Sequence, residues 1–269
     1  MKTYLSVGIG DMIFLDSILT KEEKESISEI YWGCRFGYVV KDLLENSLSY
    51  PNLTAQYTIP DDVGKFEMQK LDPVAIPFWH FRPDFPVNFG VGCRLFGIQD
   101  DWDNQRLQTI DAVSMFLDEG RSYQECSFIK DANKIDEDYI VFHYPTSTRP
   151  RSDIAQITDQ DIEFVNQLSK ETGYIVKIIS DHEIDLAIDN QLLLVNPPII
   201  KVRDLVVNCS YYAGCDSFCS ILAAKVISKE NIFIKTSPNF TGWNSWLYRA
   251  FLPHSPEEVR QFYKPYIGR

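Results

Sequence analysis

The sequence predicts an α/β protein built from two units, each with helices wound around a parallel sheet, and with a cleft between the units. Apolar runs of strand length alternate with segments of helical periodicity over residues 3–59, and the same alternation starts again at Tyr139. This alternation is typical of parallel sheets, because a parallel connection needs a crossover. A polar stretch over residues 130–138 separates the halves. We therefore expect an N-terminal α/β domain at 1–130 and a C-terminal α/β domain at 139–269.

The first half follows this pattern element by element. The expected strands are 3–7, 30–32 and 55–59, and the expected helices are 12–19, one that begins at Thr20, 36–44 and 105–117. Thr20 followed by Glu23 has the pattern of a capping box, in which two free backbone N–H groups at a helix start are bonded. Residues 73–103 are rich in proline, glycine and aromatic residues. They predict loops and short strands.

The second half repeats the alternation after the polar stretch. The expected strands are 139–142, 174–179, 191–195, 205–208 and 231–235, and the expected helices are 159–171, 216–226 and 243–263. The strand at 205–208 is expected to run into residues 210–214. Strands and helices thus alternate over most of this half, which favours a second wound sheet.

Composition and charge limit the function classes. The 269 residues are 45% hydrophobic and 24% charged, which excludes a disordered, collagenous or coiled-coil chain. A net charge of −12 disfavours binding to nucleic acid. No apolar run is long enough to span a membrane. The six cysteines show no CxxC pair, so we expect free thiols and a cytoplasmic protein.

A glycine-rich turn follows the first expected strand. Gly8 and Gly10 let the backbone turn sharply and approach a ligand closely. Asp11 then opens a helix, where a carboxylate either caps free N–H groups or projects as a base into the crevice at the strand end. A dinucleotide site is disfavoured, because the third glycine of that fingerprint is replaced by Ile13. Asp11 is therefore a candidate catalytic base, with helix capping as the alternative.

A second group of candidates follows the first strand of the second half. Its members are Thr146, Ser147, Thr148, Arg149 and Arg151. Hydroxyl groups donate hydrogen bonds and Arg binds phosphate oxygens in pairs, so this loop suits a diphosphate. The alternative is a solvated loop without a ligand.

A third group lies where a later strand leads into a helix. Gly214 supplies a permissive backbone, and Asp216 or Ser217 is expected to cap the helix. The free N–H groups at a helix start attract anions, so this position predicts a further diphosphate contact. Cys215 and Cys219 share a helical face, but core packing is favoured over a metal there, since no Cys or His pair lies nearby.

We expect no metal and no cofactor. The four histidines are spread along the chain without an HxxxH pattern. The DxD triplet at residues 101–103 is typical of some metal-dependent glycosyltransferases, but an acidic chain contains several such triplets by chance.

Three segments together resemble the ADP-heptose:lipopolysaccharide heptosyltransferase family and, more broadly, the GT-B glycosyltransferases. They are the turn with Asp11, the Thr/Ser/Arg loop and the segment from Gly214 to Ser217, and the resemblance lies in their order and spacing. The resemblance implies two Rossmann-like domains that face a central cleft. The N-terminal domain would lie on the acceptor side. The C-terminal domain would bind the nucleotide-sugar donor, and its last helices would cross back to the first domain.

The resemblance also implies a reaction. A sugar would pass from a nucleoside-diphosphate sugar to a hydroxyl of a carbohydrate or other acceptor, with inversion and without a metal. Asp11 matches the base that removes the acceptor proton. The loop with Arg149 and Arg151, together with Ser217, would stabilise the leaving diphosphate.

Two alternatives remain open. The chain could be a non-catalytic α/β binding protein or a degenerate transferase, in which case nucleotide sugars would bind without turnover. It could also glycosylate modified nucleic acid, which would require a local basic groove that the net charge of −12 does not suggest.

Overall fold

A computed structural model of the chain describes residues 2–5, 13, 16–17, 19–32, 37–45, 47–58, 76–77, 126–144, 157–215 and 217–235. The chain divides into two compact units, Met1–Asp131 and Ala132–Arg269. The described strands form two separate sheets, one in each unit, and all of their pairings are parallel. Together with the intervening helices, these sheets confirm the α/β class.

The described part of the first unit contains a four-stranded sheet. Its strands are β1 (Lys2–Leu5), β2 (Glu29–Trp32), β3 (Ala55–Thr58) and β4 (Ile76–Pro77). They lie in the order β3-β2-β1-β4. The expected strands at 3–7, 30–32 and 55–59 are confirmed where residues are described.

Three helices of the first unit are described, namely α1 (Lys21–Ser26), α2 (Gly37–Glu45) and the one-turn α3 (Ser127–Lys130). The predicted capping box of α1 is present: the Thr20 N–H donates to the Glu23 carboxylate at 2.9 Å, and the Glu23 N–H donates to the Thr20 hydroxyl at 3.3 Å. Of the helix expected at 12–19, Ile13, Asp16 and Ser17 are described and helical.

A buried ion pair and its hydrogen-bond partners tie four segments of the first unit together. The Asp16 side chain has no exposed surface, and its Oδ1 lies 3.1 Å from the Nζ of Lys24, which is also buried. The Tyr50 hydroxyl and the Ser127 hydroxyl each donate to Oδ1 at 2.7 Å, and the Ser127 N–H donates to Oδ2 at 2.6 Å. The Asp16 carboxylate thereby supplies an acceptor to the start of α3, where a backbone N–H has no partner within the helix.

The described part of the second unit contains a five-stranded sheet. Its strands are β5 (Tyr139–His143), β6 (Ile175–Ser180), β7 (Gln191–Val195), β8 (Tyr211–Cys215) and β9 (Ile232–Lys235). They lie in the order β7-β6-β5-β8-β9. Numbered within the unit this is 3-2-1-4-5, the order of a doubly wound dinucleotide-binding sheet.

The helices of the second unit are α4 (Asp159–Thr172), α5 (Ile199–Asn208) and α6 (Phe218–Val226) among the described residues. α4 starts with a capping box between Thr158 and Asp161 and ends at Gly173, which has a φ of 75°. One face of the sheet is covered by a core cluster of buried residues: Ile140, Phe142, Tyr144, Val165, Leu168, Val176, Ile178, Ile188, Ala213 and Cys215.

The strand expected at 205–208 is wrong. Those residues end helix α5, which begins after Pro198, and the strand is β8, three residues further on. The apolar run at 205–207 also has helical spacing with Val202, and Val202, Leu205 and Val206 are all buried in α5. As a consequence, residues 211–214, which were expected to follow a strand, belong to β8.

The helices expected at 105–117 and 243–263, and all of the 73–103 segment except β4, lie outside the described residues. Of the six cysteines, Cys126, Cys209, Cys215 and Cys219 are described, and all four are buried free thiols, as expected.

Candidate functional site

The strand order of the second unit defines a switch point between β5 and β8. From β5 the chain passes through α4 to β6 on one side, whereas from β8 it passes through α6 to β9 on the other side. In open parallel sheets the helices diverge at such a point and leave a crevice beyond the carboxyl ends of the strands, where ligands bind. His143 ends β5, and Cys215 ends β8.

The two strands approach each other closely at this point. Gly214 pairs with His143 in the parallel register. A Cβ atom on Gly214 would lie 2.2 Å from the backbone oxygen of His143 and 2.9 Å from the hydroxyl of Tyr212. A backbone oxygen held in a central strand has little room to move, so only glycine fits here. The structural requirement for glycine at position 214 is thus the close approach of the two strands.

His143 and Ser217 meet across the switch point. Ser217 is the N-cap of α6, so of the two caps considered from the sequence it is Ser217 that the structure places at the helix start. Its Oγ lies 3.3 Å from Nδ1 of His143. The Ser217 N–H donates to the Ser220 hydroxyl at 2.8 Å, and that hydroxyl donates back to the Ser217 carbonyl at 2.8 Å. The Ser217 N–H is therefore already used within the helix start.

The His143 ring is neutral near pH 7. Desolvation of the partly exposed ring lowers the pKa of His143 to about 4, and the Asp181 carboxylate acts in the opposite direction without reversing the shift. A neutral imidazole has one N–H donor and one acceptor nitrogen. The His143 side chain can therefore either donate to Ser217 or accept from it.

The groups beneath Ser217 are also uncharged. Burial, followed by the nearby thiols of Cys219 and Cys215, raises the pKa of Tyr212 well above its usual range, while a hydrogen bond with Ser217 acts in the opposite direction. Burial likewise raises the pKa of the Cys219 thiol. The Tyr212 hydroxyl donates to the Cys215 carbonyl at 3.4 Å. The floor of the site is thus a neutral polar layer below the start of α6.

The ends of β6 and β7 form the next part of this sheet edge. The Ser180 hydroxyl donates to the His182 carbonyl at 2.7 Å, and the Asn196 N–H donates to the Ser180 carbonyl at 2.6 Å. Asn196 has a φ of 45°, a conformation that asparagine tolerates better than most residues. The first bond is local, whereas the second joins the ends of the neighbouring strands β6 and β7.

Of the site residues predicted from the sequence, Gly214 and Ser217 are described, and both lie at the switch point. The others lie outside the described residues: Gly8, Gly10, Asp11, Thr146, Ser147, Thr148, Arg149, Arg151 and Asp216. In sequence, residues 8–11 follow β1, and residues 146–151 follow β5.

His143 is the functional candidate that sequence reasoning did not select. The available signal was its place at the end of an apolar run, in which alternate residues face opposite sides of the sheet. Phe142 and Tyr144 belong to the core cluster on one face, so His143 faces the other side, as Gly214 does in the paired strand.

Two further findings concern the described residues alone. They include no cluster of three or more His, Cys, Asp or Glu side chains that could hold a metal ion. None of the helices in this part of the chain is long and apolar enough to cross a membrane.

Comparison with known proteins shows a likeness of fold. No protein-family model and no curated protein sequence matches the chain. Among solved structures, the heptosyltransferase WaaC of E. coli, solved with ADP, superimposes with a TM-score of 0.50 at 12% identity over 88% of each chain. The ADP-heptose lipopolysaccharide heptosyltransferase II of E. coli gives 0.48 at 12% identity over 97% of each chain. The likeness to WaaC confirms, at the level of fold, the family resemblance seen in the sequence motifs.

Proposed function

We propose that the protein is a glycosyltransferase of the GT-B type that moves a sugar from a nucleoside-diphosphate sugar to a hydroxyl acceptor, with inversion and without a metal ion. The observation that carries the proposal is the switch point of the second sheet, where Gly214, His143 and Ser217 line the carboxyl edge of a doubly wound fold. The likeness to WaaC, whose structure contains ADP, supports this assignment.

In this proposal the two units are the two domains of a GT-B enzyme. The first, at 1–130, takes the acceptor, and the second, at 139–269, takes the donor. The order 3-2-1-4 of the first sheet places its own switch point between β1 and β4. The segment with Gly8, Gly10 and Asp11 follows β1 in sequence, which supports a role for Asp11 at the carboxyl end of that strand.

The reaction is a single displacement. The acceptor oxygen forms a bond to the anomeric carbon as the bond from that carbon to the diphosphate oxygen breaks. The acceptor proton passes to the Asp11 carboxylate, and the electron pair of the broken bond leaves with the nucleoside diphosphate. A neutral hydroxyl is a poor nucleophile, so a positioned base contributes about 10²–10⁴-fold in rate.

The negative charge on the leaving diphosphate needs compensation. Arg149 and Arg151 supply it as fixed pairs of donors, with the hydroxyls of residues 146–148 beside them. The start of α6 adds a favourable dipole and free N–H groups, with Ser217 facing the phosphate and Asp216 on the ribose side. Two guanidinium groups take the place that a divalent cation holds in metal-dependent transferases.

The decisive experiment separates binding from turnover. A panel of nucleotide sugars is titrated by calorimetry, and the same panel is then tested for sugar transfer in the presence of EDTA. We expect tight binding of one donor and transfer that EDTA leaves unchanged. Donor binding without transfer to any acceptor would support the non-catalytic alternative, and no binding at all would overturn the proposal.

Asp11→Asn tests the base. The amide keeps the shape and much of the capping ability of the carboxylate but cannot accept the proton. We expect turnover to fall by about 10²-fold or more, with donor affinity nearly unchanged. Asp42→Asn, at an exposed position of α2, is the matched control and should retain full turnover. Near-normal turnover of Asp11→Asn would mean that Asp11 only caps its helix.

Arg149→Ala and Arg151→Ala test the donor site. At least one of them should weaken nucleoside-diphosphate binding by about 1.5–3 kcal/mol, the strength of a hydrogen bond to a charged group. Lys170→Ala removes an exposed positive charge from α4 and should bind like the parent. If both Arg variants also bind like the parent, the donor site lies elsewhere.

A further inference from the structure

We propose that His143 is a positioning residue for the donor diphosphate. It acts by donating a hydrogen bond from Nδ1 to the Ser217 hydroxyl. This bond leaves the hydroxyl proton of Ser217 available for a phosphate oxygen. This inference rests on the proposed function, because it assigns the means by which that same switch point binds its ligand. It starts from the contact of 3.3 Å between Nδ1 of His143 and Oγ of Ser217.

The Ser217 hydroxyl is the group that decides the chemistry at this helix start. The N–H of Ser217 already donates to Ser220, so of this residue only the hydroxyl proton remains for a ligand. A serine hydroxyl has one proton to donate and two lone pairs to accept. If that proton is given to His143, Ser217 presents only lone pairs to a diphosphate, and lone pairs repel an anion.

Because the His143 ring is neutral, its one ring proton lies on either Nδ1 or Nε2. With its pKa near 4, the ring has a single proton at neutral pH. If the proton is on Nε2, then Nδ1 accepts from Ser217 and uses up the hydroxyl proton. If the proton is on Nδ1, the ring donates to Ser217, and the hydroxyl proton is free to turn outward.

When a diphosphate is bound, the groups around Ser217 favour an orientation in which its hydroxyl proton points towards the ligand. Among the described residues, the side chains of Tyr212 and Cys219 that interact with the Ser217 hydroxyl are both neutral, since burial raises the pKa of each. A charged phosphate oxygen is a stronger acceptor than a neutral hydroxyl or thiol. The diphosphate therefore selects the Nδ1–H form of His143. The close packing at Gly214 fixes the distance between the two strands, and hence the place of the ring.

A double-mutant cycle tests this coupling. The affinities of ADP, UDP and GDP are measured by calorimetry for the parent, His143→Leu, Ser217→Ala and the double variant. We expect each single variant to weaken the nucleotide that binds best by about 10–100-fold. The double variant should be no weaker than Ser217→Ala, because His143 acts only through Ser217. If the affinity losses of the two single variants multiplied in the double variant, the proposal would be overturned.

The conservative variant and a matched control guard against loss of folding. The amide nitrogen of asparagine stands near the place of Nδ1 and donates in the same way, so His143→Asn should bind within about threefold of the parent. Ser210→Ala removes a serine that precedes β8 at the opposite end of the strand, where it donates to Asp138, and should leave affinity unchanged. If His143→Asn binds as weakly as His143→Leu while both remain folded in urea titrations, the donor role of Nδ1 is wrong.

The ring itself provides a direct readout. Nitrogen NMR of ¹⁵N-histidine-labelled protein distinguishes protonated from unprotonated ring nitrogens. With saturating nucleotide we expect a neutral His143 ring with the proton on Nδ1. A proton on Nε2, or a doubly protonated ring, would overturn the proposal.

The outcomes separate the two proposals. If the parent binds none of the three nucleotides and no nucleotide sugar, the proposed function fails and this inference falls with it. If the parent binds but the cycle shows no coupling, the proposed function stands and only the role of His143 is overturned.

Discussion

The two units differ in how their buried and partly buried polar side chains are paired. In the first unit, Asp16 and Lys24 form a charged pair without exposed surface on the carboxylate, and both carboxylate oxygens accept hydrogen bonds from Tyr50 or Ser127. In the second unit, His143 and Ser217 form a neutral pair at a longer distance, on a ring that is partly exposed. The first cluster is saturated, whereas the second retains capacity for another partner.

Under the proposed function, this difference predicts that the first cluster maintains the fold and that the second one binds the ligand. A buried charge is tolerated only when it is paired and fully hydrogen-bonded, so the residues around Asp16 are fixed in place. A neutral histidine has two alternative hydrogen-bonding states of similar energy, and a ligand can select one of them. We therefore expect variants of the first cluster to change stability and variants of the second to change nucleotide affinity.

The largest effect is expected for Lys24→Met. Methionine fills a similar volume but leaves the Asp16 carboxylate buried without its cation, which costs about 3–5 kcal/mol of unfolding free energy. Urea denaturation of the parent and the variant measures this difference in unfolding free energy. Nucleotide affinity of the folded fraction should not change.

The matched control lies on the same helix. Lys21 forms an exposed pair with Glu25 at 3.6 Å, so Lys21→Met should cost less than about 0.5 kcal/mol. Equal losses for the two lysine variants would show that burial does not distinguish the pairs, and the comparison between the units would lose its basis.

The next effect concerns the close approach of β5 and β8. Gly214→Ala places a Cβ 2.2 Å from a backbone oxygen, so the strands must separate, at a cost of about 3 kcal/mol. Gly173→Ala has no atom within 4 Å and only the strain of a φ of 75°, about 1–2 kcal/mol. Urea titrations of both variants should show the larger loss for Gly214. The reverse order would mean that the strands yield easily, and His143 would then not be held in place.

The smallest effect is the pH dependence caused by His143. Its pKa is about 4 in the folded protein and about 6.5 in the unfolded chain, so only the unfolded state binds a proton between these values. The stabilisation is complete above about pH 6.5 and is lost as the pH falls towards 4. Because solvent screens the partly exposed ring, we expect a loss of roughly 2 kcal/mol.

Other groups also titrate between about pH 4 and 6.5, so the contribution of His143 to the pH dependence must be separated from theirs. The variant His143→Asn removes this contribution alone. The free energy of unfolding of His143→Asn should fall less between pH 7 and pH 4.5 than that of the parent. Parallel curves for the two proteins would contradict the desolvated state of the ring.

Local patterns in the sequence predicted most of the described elements. The Thr20–Glu23 capping box formed as expected, and the strand expected at 191–195 is β7. These features depend on hydrogen bonds or side-chain periodicity within a few residues. The prediction failed at 205–208. Val206 and Val207 favour a strand locally, but the packing of Val202, Leu205 and Val206 overrides this propensity in α5.

What the sequence determined by itself was the alternation of strands and helices, the capping box of α1 and a helix cap at Asp216 or Ser217. The close approach that requires glycine at position 214 depends on the pairing of β5 with β8. The strand order was decided only by the tertiary structure. The chain passes through β6 and β7 before β8 returns to the other side of β5, and this return brings Ser217 to His143 across 74 positions. The Asp16–Ser127 contact spans 111 positions in the same way. Contacts of this kind leave no local signal, because each residue alone satisfies only the rules of its own strand or helix, and the partner is chosen by the pairing of the sheet.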